Sequence, residues 1–196
     1  THLTLERYTS AISNFEKCME LDGDDPLAMS YIGECYEQLG ELERAKEHYK
    51  KSLELAPMLP DAWLGLGIVE DLEGRTREGI VLIQKAAELD PENASIYHVL
   101  AGAYEKLEDD ENALRNYQLA LDLEPGDEDC LLNYIELLAT ASIQDAFDFL
   151  ETFELDNVNR VTGILKVSLL WRLGRTEESL RLYKKCLLEN RETALQ

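Results

Sequence analysis

The sequence predicts an all-α protein made of stacked antiparallel helix-turn-helix hairpins, and two nested periodicities predict it. The longer period is 34 residues: Pro57, Pro91 and Pro125 recur at that interval, as do Gly33, Gly67 and Ala101, and Ala45, Gly79 and Ala113. The shorter is helical. Ile32, Tyr36 and Leu39 share one helix face, Leu42, Ala45, Tyr49, Ser52 and Leu53 share another, and Gly40 breaks the pattern between them. Each long period therefore holds two amphipathic helices and a short turn.

The punctuation agrees with that division. Gly40, Gly74 and Gly174 stand where a first helix ends and a positive φ is wanted, and Pro57, Pro91 and Pro125 stop the second helices because proline lacks the N–H and clashes with the preceding turn. Asp24-Asp25-Pro26 suits a helix N-terminus, with proline in the first turn and acids near the positive end of the dipole. In the third period the acidic run Glu108-Asp109-Asp110-Glu111 takes the place of the glycine turn, as an exposed turn or as a docking patch for a basic loop. Ala45, Gly79 and Ala113 mark the closest approach of two helix backbones. One hairpin cannot bury its apolar face alone, so neighbouring hairpins must stack.

Composition narrows the function classes. The chain is 45% hydrophobic and 30% charged with 8% aromatic residues, a globular helix-rich profile. Its richest apolar stretch, 164–173, is broken by Lys166, Ser168 and Arg172, so no segment approaches the roughly 20 apolar residues of a membrane span. A formal charge of −21 makes nucleic acid a poor partner, since phosphates are held by clustered Lys and Arg; it serves solubility, or a groove selective for basic partners. Cys18, Cys35, Cys130 and Cys186 lack the close pairs of a zinc or redox motif, which points to free thiols in a reducing, cytoplasmic setting. The chain opens at Thr1 within repeat-like sequence, and the expectation is an excerpt of a longer protein.

The 34-residue pattern resembles the tetratricopeptide repeat. Residues 26–59 carry it as Met29, Ile32-Gly33, Tyr36, Ala45, Tyr49, Ser52 and Pro57; residues 60–93 as Trp63, Leu66-Gly67, Glu70, Gly79, Ile83, Ala86 and Pro91; residues 94–127 as Tyr97, Leu100-Ala101, Tyr104, Ala113, Tyr117, Ala120 and Pro125. Residues 1–25 match the end of one unit, with Ala11, Phe15 and Cys18 at second-helix core places. Residues 128–159 form a degenerate unit shortened by about two residues that keeps Ala146 and Leu150. Residues 160–196 recover the register with Leu170, Gly174, Ser179, Tyr183 and Cys186, and no clear polar cap follows, leaving Leu169 and Trp171 partly open. The resemblance implies one right-handed superhelical solenoid whose concave face is lined by first helices.

Catalytic and metal templates fail. Gly65-x-Gly67 lies inside a helix and lacks the third glycine of a dinucleotide fingerprint. Asp22-Gly23-Asp24-Asp25 lacks the sixth-place glycine and twelfth-place Glu of a calcium loop, and His2, His48 and His98 are too dispersed for a metal trio. No catalytic residue, cofactor or metal ligand is expected.

The candidate site comes from the groove places that the resemblance implies. In the family subclass that grips an acidic C-terminus those places hold Lys, Asn and Arg; here they hold Ser30, Glu34, Gly65, Ser95 and Val99, so that carboxylate clamp is absent. What stands there instead is an apolar stripe, Leu64, Ile68 and Leu72, flanked by Asp61, Asp71, Glu34, Glu37 and Glu105, with Tyr31 and His98 on the same wall. Leu72 and Ile68 either receive a partner or pack against the adjacent helix, and Tyr31 is either an anchor or core. The expectation is a protein-interaction scaffold that takes a basic, apolar or amphipathic protein segment in this groove, without nucleic acid or membrane. Self-association through end repeats is a further route. The alternative is a regulatory or substrate-recruiting repeat region of a larger enzyme.

Overall fold

The computed structural model describes residues 2–153 and 159–193. Every regular element among them is a helix: α1 His2–Asp22, α2 Pro26–Gln38, α3 Leu42–Leu55, α4 Pro60–Leu72, α5 Thr76–Leu89, α6 Ala94–Lys106, α7 Asp110–Leu123, α8 Glu128–Ala141, α9 Ile143–Thr152, α10 Asn159–Arg172 and α11 Thr176–Thr193. The 34-residue period survives in the structure, since α2, α4 and α6 begin at 26, 60 and 94 and α3, α5 and α7 at 42, 76 and 110. No described helix is long and apolar enough to cross a membrane.

Local chemistry sets the boundaries. Asp25 accepts a hydrogen bond from the Leu27 amide at 3.0 Å with Pro26 opening the helix, and Asn93 does the same for the Ser95 amide at 3.2 Å. Gly40, Gly74 and Gly174 take φ of 75°, 83° and 75° after their first helices. Glu108 occupies the same place in the third period and takes φ 58° despite its Cβ. Trp63 Nε1 donates to the Pro57 carbonyl at 2.8 Å and Tyr97 Oη to the Pro91 carbonyl at 3.2 Å, so the aromatic at the fourth place of a repeat ties down the turn before it.

The chain divides into two compact units, Thr1–Ala113 and Leu114–Gln196. In the first, one core joins α1 to α4 through Ile12, Ile32, Tyr36, Ala45, Tyr49, Leu66 and Val69, and a second joins α5 to α6 through Ile80, Ile83, Ile96 and Leu100. Ala45 is fully buried, and a Cβ on Gly79 would stand 2.6 Å from the Gly67 carbonyl oxygen, so α4 and α5 touch backbone to backbone. Gly65-x-Gly67 is thus a packing motif. Glu70 fills the place held by Tyr36 and Tyr104 in the neighbouring repeats. Lys46 reaches it at 2.8 Å and Glu73 at 2.6 Å, with these side chains only 13% and 15% exposed, and Arg75 closes on both carboxylates. An ion cluster replaces the aromatic contact there.

In the second unit the hairpin of α8 and α9 turns on a single residue. Ser142 closes α8 and caps α9, accepting from the Asp145 amide at 3.1 Å, where the earlier hairpins use three residues such as 39–41. That is the shortening the sequence predicts. Ala146 and Leu150 are fully buried, and Cys130, also buried, has its thiol pushed up to about 12 by desolvation.

Two expectations of burial are corrected, at Cys18 and Leu169, and Tyr183 departs from its repeat counterpart. Cys18 is exposed, because among the described residues no first helix covers that face of α1 as α2 covers Ser52, whose hydroxyl donates to the Pro26 carbonyl at 2.6 Å. Tyr183, at the place of the fully buried Tyr49, is 51% exposed, since no described helix lies over α11 as α4 lies over α3. Leu169 is buried rather than partly open, and Trp171 is exposed as expected. All four cysteines are free.

Candidate functional site

The site lies in the first unit, where α2 and α4 present successive first helices side by side. Between them opens a cleft of about 280 Å³ lined by Ser30, Tyr31, Glu34, Glu37, Gln38, Tyr49, Asp61, Leu64, Gly65 and Ile68. Two residues at its floor explain why it exists. Gly65 has no side chain where a Cβ would stand 2.1 Å from the Tyr49 ring, so the ring slides from α3 beneath both first helices. Its hydroxyl then donates to Glu37 Oε2 at 3.2 Å.

The cleft is apolar in its walls and acidic at its rim. Leu64 and Ile68 are half-buried and Tyr31 is 41% exposed, stacked on Phe15 of α1 with ring centroids 5.7 Å apart. Tyr31 is therefore core on one edge and open on the other. Glu34 and Asp61 are exposed, Glu37 is half-buried, and no described cation pairs with any of the three. Burial pushes the Glu37 carboxyl above the usual carboxylate range, against the Tyr49 hydrogen bond, and the nearby Glu34 adds to the rise. The same burial, with the charge of Glu37, raises the Tyr49 phenol.

Six of the sequence-predicted residues thus share one cavity: Tyr31, Glu34, Glu37, Asp61, Leu64 and Ile68. Four do not line it. Asp71 pairs instead with Lys106, which reaches back from α6 to its carboxylate at 2.5 Å. Leu72 is 52% exposed, so it does not pack inward as one reading had it, but it lies beyond the cleft. His98 is half-buried and Glu105 exposed, both on α6.

A second cleft adjoins the first. Arg7, Tyr8, Ala11, Phe15, Tyr31, Glu34 and Cys35 line a largely apolar furrow between α1 and α2. Sequence reading missed it because Phe15 and Tyr8 sit at second-helix core places. Only Tyr31 and Glu34, common to both clefts, pointed there.

Comparison with known proteins fits this architecture. The tetratricopeptide-repeat family profiles match residues 26–59 in one version and residues 1–25 and 94–127 in another. Those stretches of the chain are tetratricopeptide repeats. Such repeats generally serve as scaffolds for protein–protein interaction, and that is the broad class they imply here. Anaphase-promoting complex subunit 3 of Schizosaccharomyces pombe is 26% identical over 60% of this chain and 18% of its own length. The small glutamine-rich tetratricopeptide repeat-containing protein 2 of Mycosarcoma maydis is 28% identical over 54% and 30%. Photosystem I assembly protein Ycf3 of Rippkaea orientalis is 32% identical over 41% and 53%. The chain therefore spans only part of each curated relative. Among solved structures, YrrB superposes with a TM-score of 0.63 at 23% identity, covering 88% of this chain and 90% of its own, and PilF of Pseudomonas aeruginosa with 0.67 at 22%, covering 81% and 73%. At that identity the likeness concerns the fold alone.

Proposed function

We propose that this tetratricopeptide-repeat chain is a scaffold that takes a basic, amphipathic segment of a partner protein in the cleft between α2 and α4. The observation that carries the reading is the pairing of apolar walls, Tyr31, Leu64 and Ile68, with three carboxylates, Glu34, Glu37 and Asp61, with which no cation among the described residues pairs. A lysine or arginine stem packs on the walls while its head meets half-buried Glu37 and the exposed carboxylates of Glu34 and Asp61. YrrB, of the same fold, is described by an unusual peptide-binding site, which makes a peptide ligand a natural occupant. Ser30 and Gly65 are buried at places where an acidic C-terminus would need cationic donors, so a peptide ending in consecutive acids is expected not to bind.

The test is binding of labelled dodecapeptides, basic-apolar against acidic, by anisotropy. Ile68→Asp and Leu64→Ala are expected to raise Kd for the basic-apolar peptides about tenfold or more, since a few buried anchors dominate an interface. Equal binding of acidic peptides, or indifference to both substitutions, overturns the proposal.

A further inference from the structure

We infer that the occupant is an extended segment with two anchors about three residues apart, an apolar side chain in the α1–α2 furrow and a Lys or Arg in the α2–α4 cleft. The inference rests on the reading above and adds a second subsite and a motif. Its geometry is simple. The two clefts lie on opposite flanks of α2 and share Tyr31 and Glu34, so a chain that fills both must cross that one helix.

The two subsites differ in chemistry. The α1–α2 furrow offers Tyr8, Ala11, Phe15 and the Tyr31 ring, with exposed Arg7 the one cation among its described lining residues. The α2–α4 cleft holds Glu37 and Asp61 in addition to the shared Glu34. A basic side chain is attracted to the second and repelled by Arg7 at the first, so charge fixes which anchor goes where. A helix with its side chains is about 10 Å across, and an extended polyproline-II segment rises about 3.1 Å per residue with three residues per turn, which sets the three-residue separation and turns both anchors to the same side.

The experiment uses synthetic dodecapeptides in a Gly/Ser background carrying one Leu and one Arg, separated by zero to seven residues and made in both sequence orders, with the chain in its complete form. Affinity is expected to peak where Arg is three residues from Leu, in one of the two orders, about tenfold above the peptides in which either anchor is Ala. A proline between the anchors is expected to be tolerated, because an extended segment needs no internal hydrogen bonds. Phe15→Leu is expected to weaken the contribution of the peptide Leu alone, Glu37→Gln that of the Arg alone, and Arg7→Glu to weaken the preference between the two orders. A peak at seven residues that proline abolishes identifies a helical occupant and overturns the inference. If the peptide Leu contributes nothing while Glu37→Gln and Ile68→Asp still weaken binding, the furrow is no subsite and only the α2–α4 reading survives. If none of these changes matters, both fail. Peptide-side substitutions leave the protein fold untouched, so loss of folding in a variant cannot mimic these results.

Discussion

At the scale of the residue, Gly65 and Tyr49 form the decisive pair. An alanine at 65 places its Cβ 2.1 Å from the Tyr49 ring, which forces the ring or α4 to move. Overpacking costs about 1–3 kcal/mol, against about 1 kcal/mol gained from helix propensity when Gly becomes Ala. Gly65→Ala is therefore expected to destabilise the protein in urea titrations, and to become neutral or stabilising in a Tyr49→Ala background. An unchanged effect in that background refutes the contact. Glu108 presents the opposite case, a side chain held at φ 58° where the other turns have glycine. Removing its Cβ relieves about 1–2 kcal/mol of left-handed strain and costs somewhat less in unfolded-chain entropy. Glu108→Gly is expected to raise stability by about 0.5 kcal/mol, read as a small shift of the denaturation midpoint.

At the scale of the element, two sets of carboxylates should give opposite pH dependences. Hydrogen bonds and charge from Lys46 and Arg75 hold Glu73 below the usual carboxylate range, and the same partners hold Glu70 there against its desolvation. A depressed pKa gives stability that is present above the unfolded value, about 4.3 for Glu, and is lost as pH falls through the folded value. Lys46→Met is expected to flatten the acid limb of a plot of Tm against pH between about 5 and 3. Glu37 has the raised pKa of a buried carboxyl, so its contribution is fully present below the unfolded value and is lost as pH rises through the folded one. Glu37→Gln is expected to raise Tm at neutral pH and not at pH 4. A rise of equal size at both pH values would assign the effect to packing instead of ionisation.

At the scale of the whole molecule, the charge of −21 acts on encounter more than on the bound state. Association with a basic peptide is expected to slow as ionic strength rises past about 0.1 M, where the Debye length falls to about 10 Å. Glu34→Lys with Glu105→Lys should lower the association rate and flatten its salt dependence while changing the dissociation rate little, measurable by stopped flow. A salt-independent rate for the unaltered protein would remove charge steering from the mechanism.

Periodicity and punctuation sufficed for the helical hairpins and their 34-residue register, because glycine and proline positions and apolar periodicity are local and dictate φ, helix ends and buried faces without reference to the rest of the chain. They also brought Tyr31, Glu34, Glu37, Asp61, Leu64 and Ile68 to one wall, since register alone places them on successive first helices. Which of those positions stay open depended on neighbours that periodicity does not name. Tertiary structure gave Asp71 to Lys106, left Leu72 in solvent, put Tyr49 under Gly65 as the cleft floor, and paired Phe15 with Tyr31 to open the second furrow. Each of these is set by how far one long side chain reaches or how closely two backbones approach, distances that a repeat pattern does not encode and only packing decides.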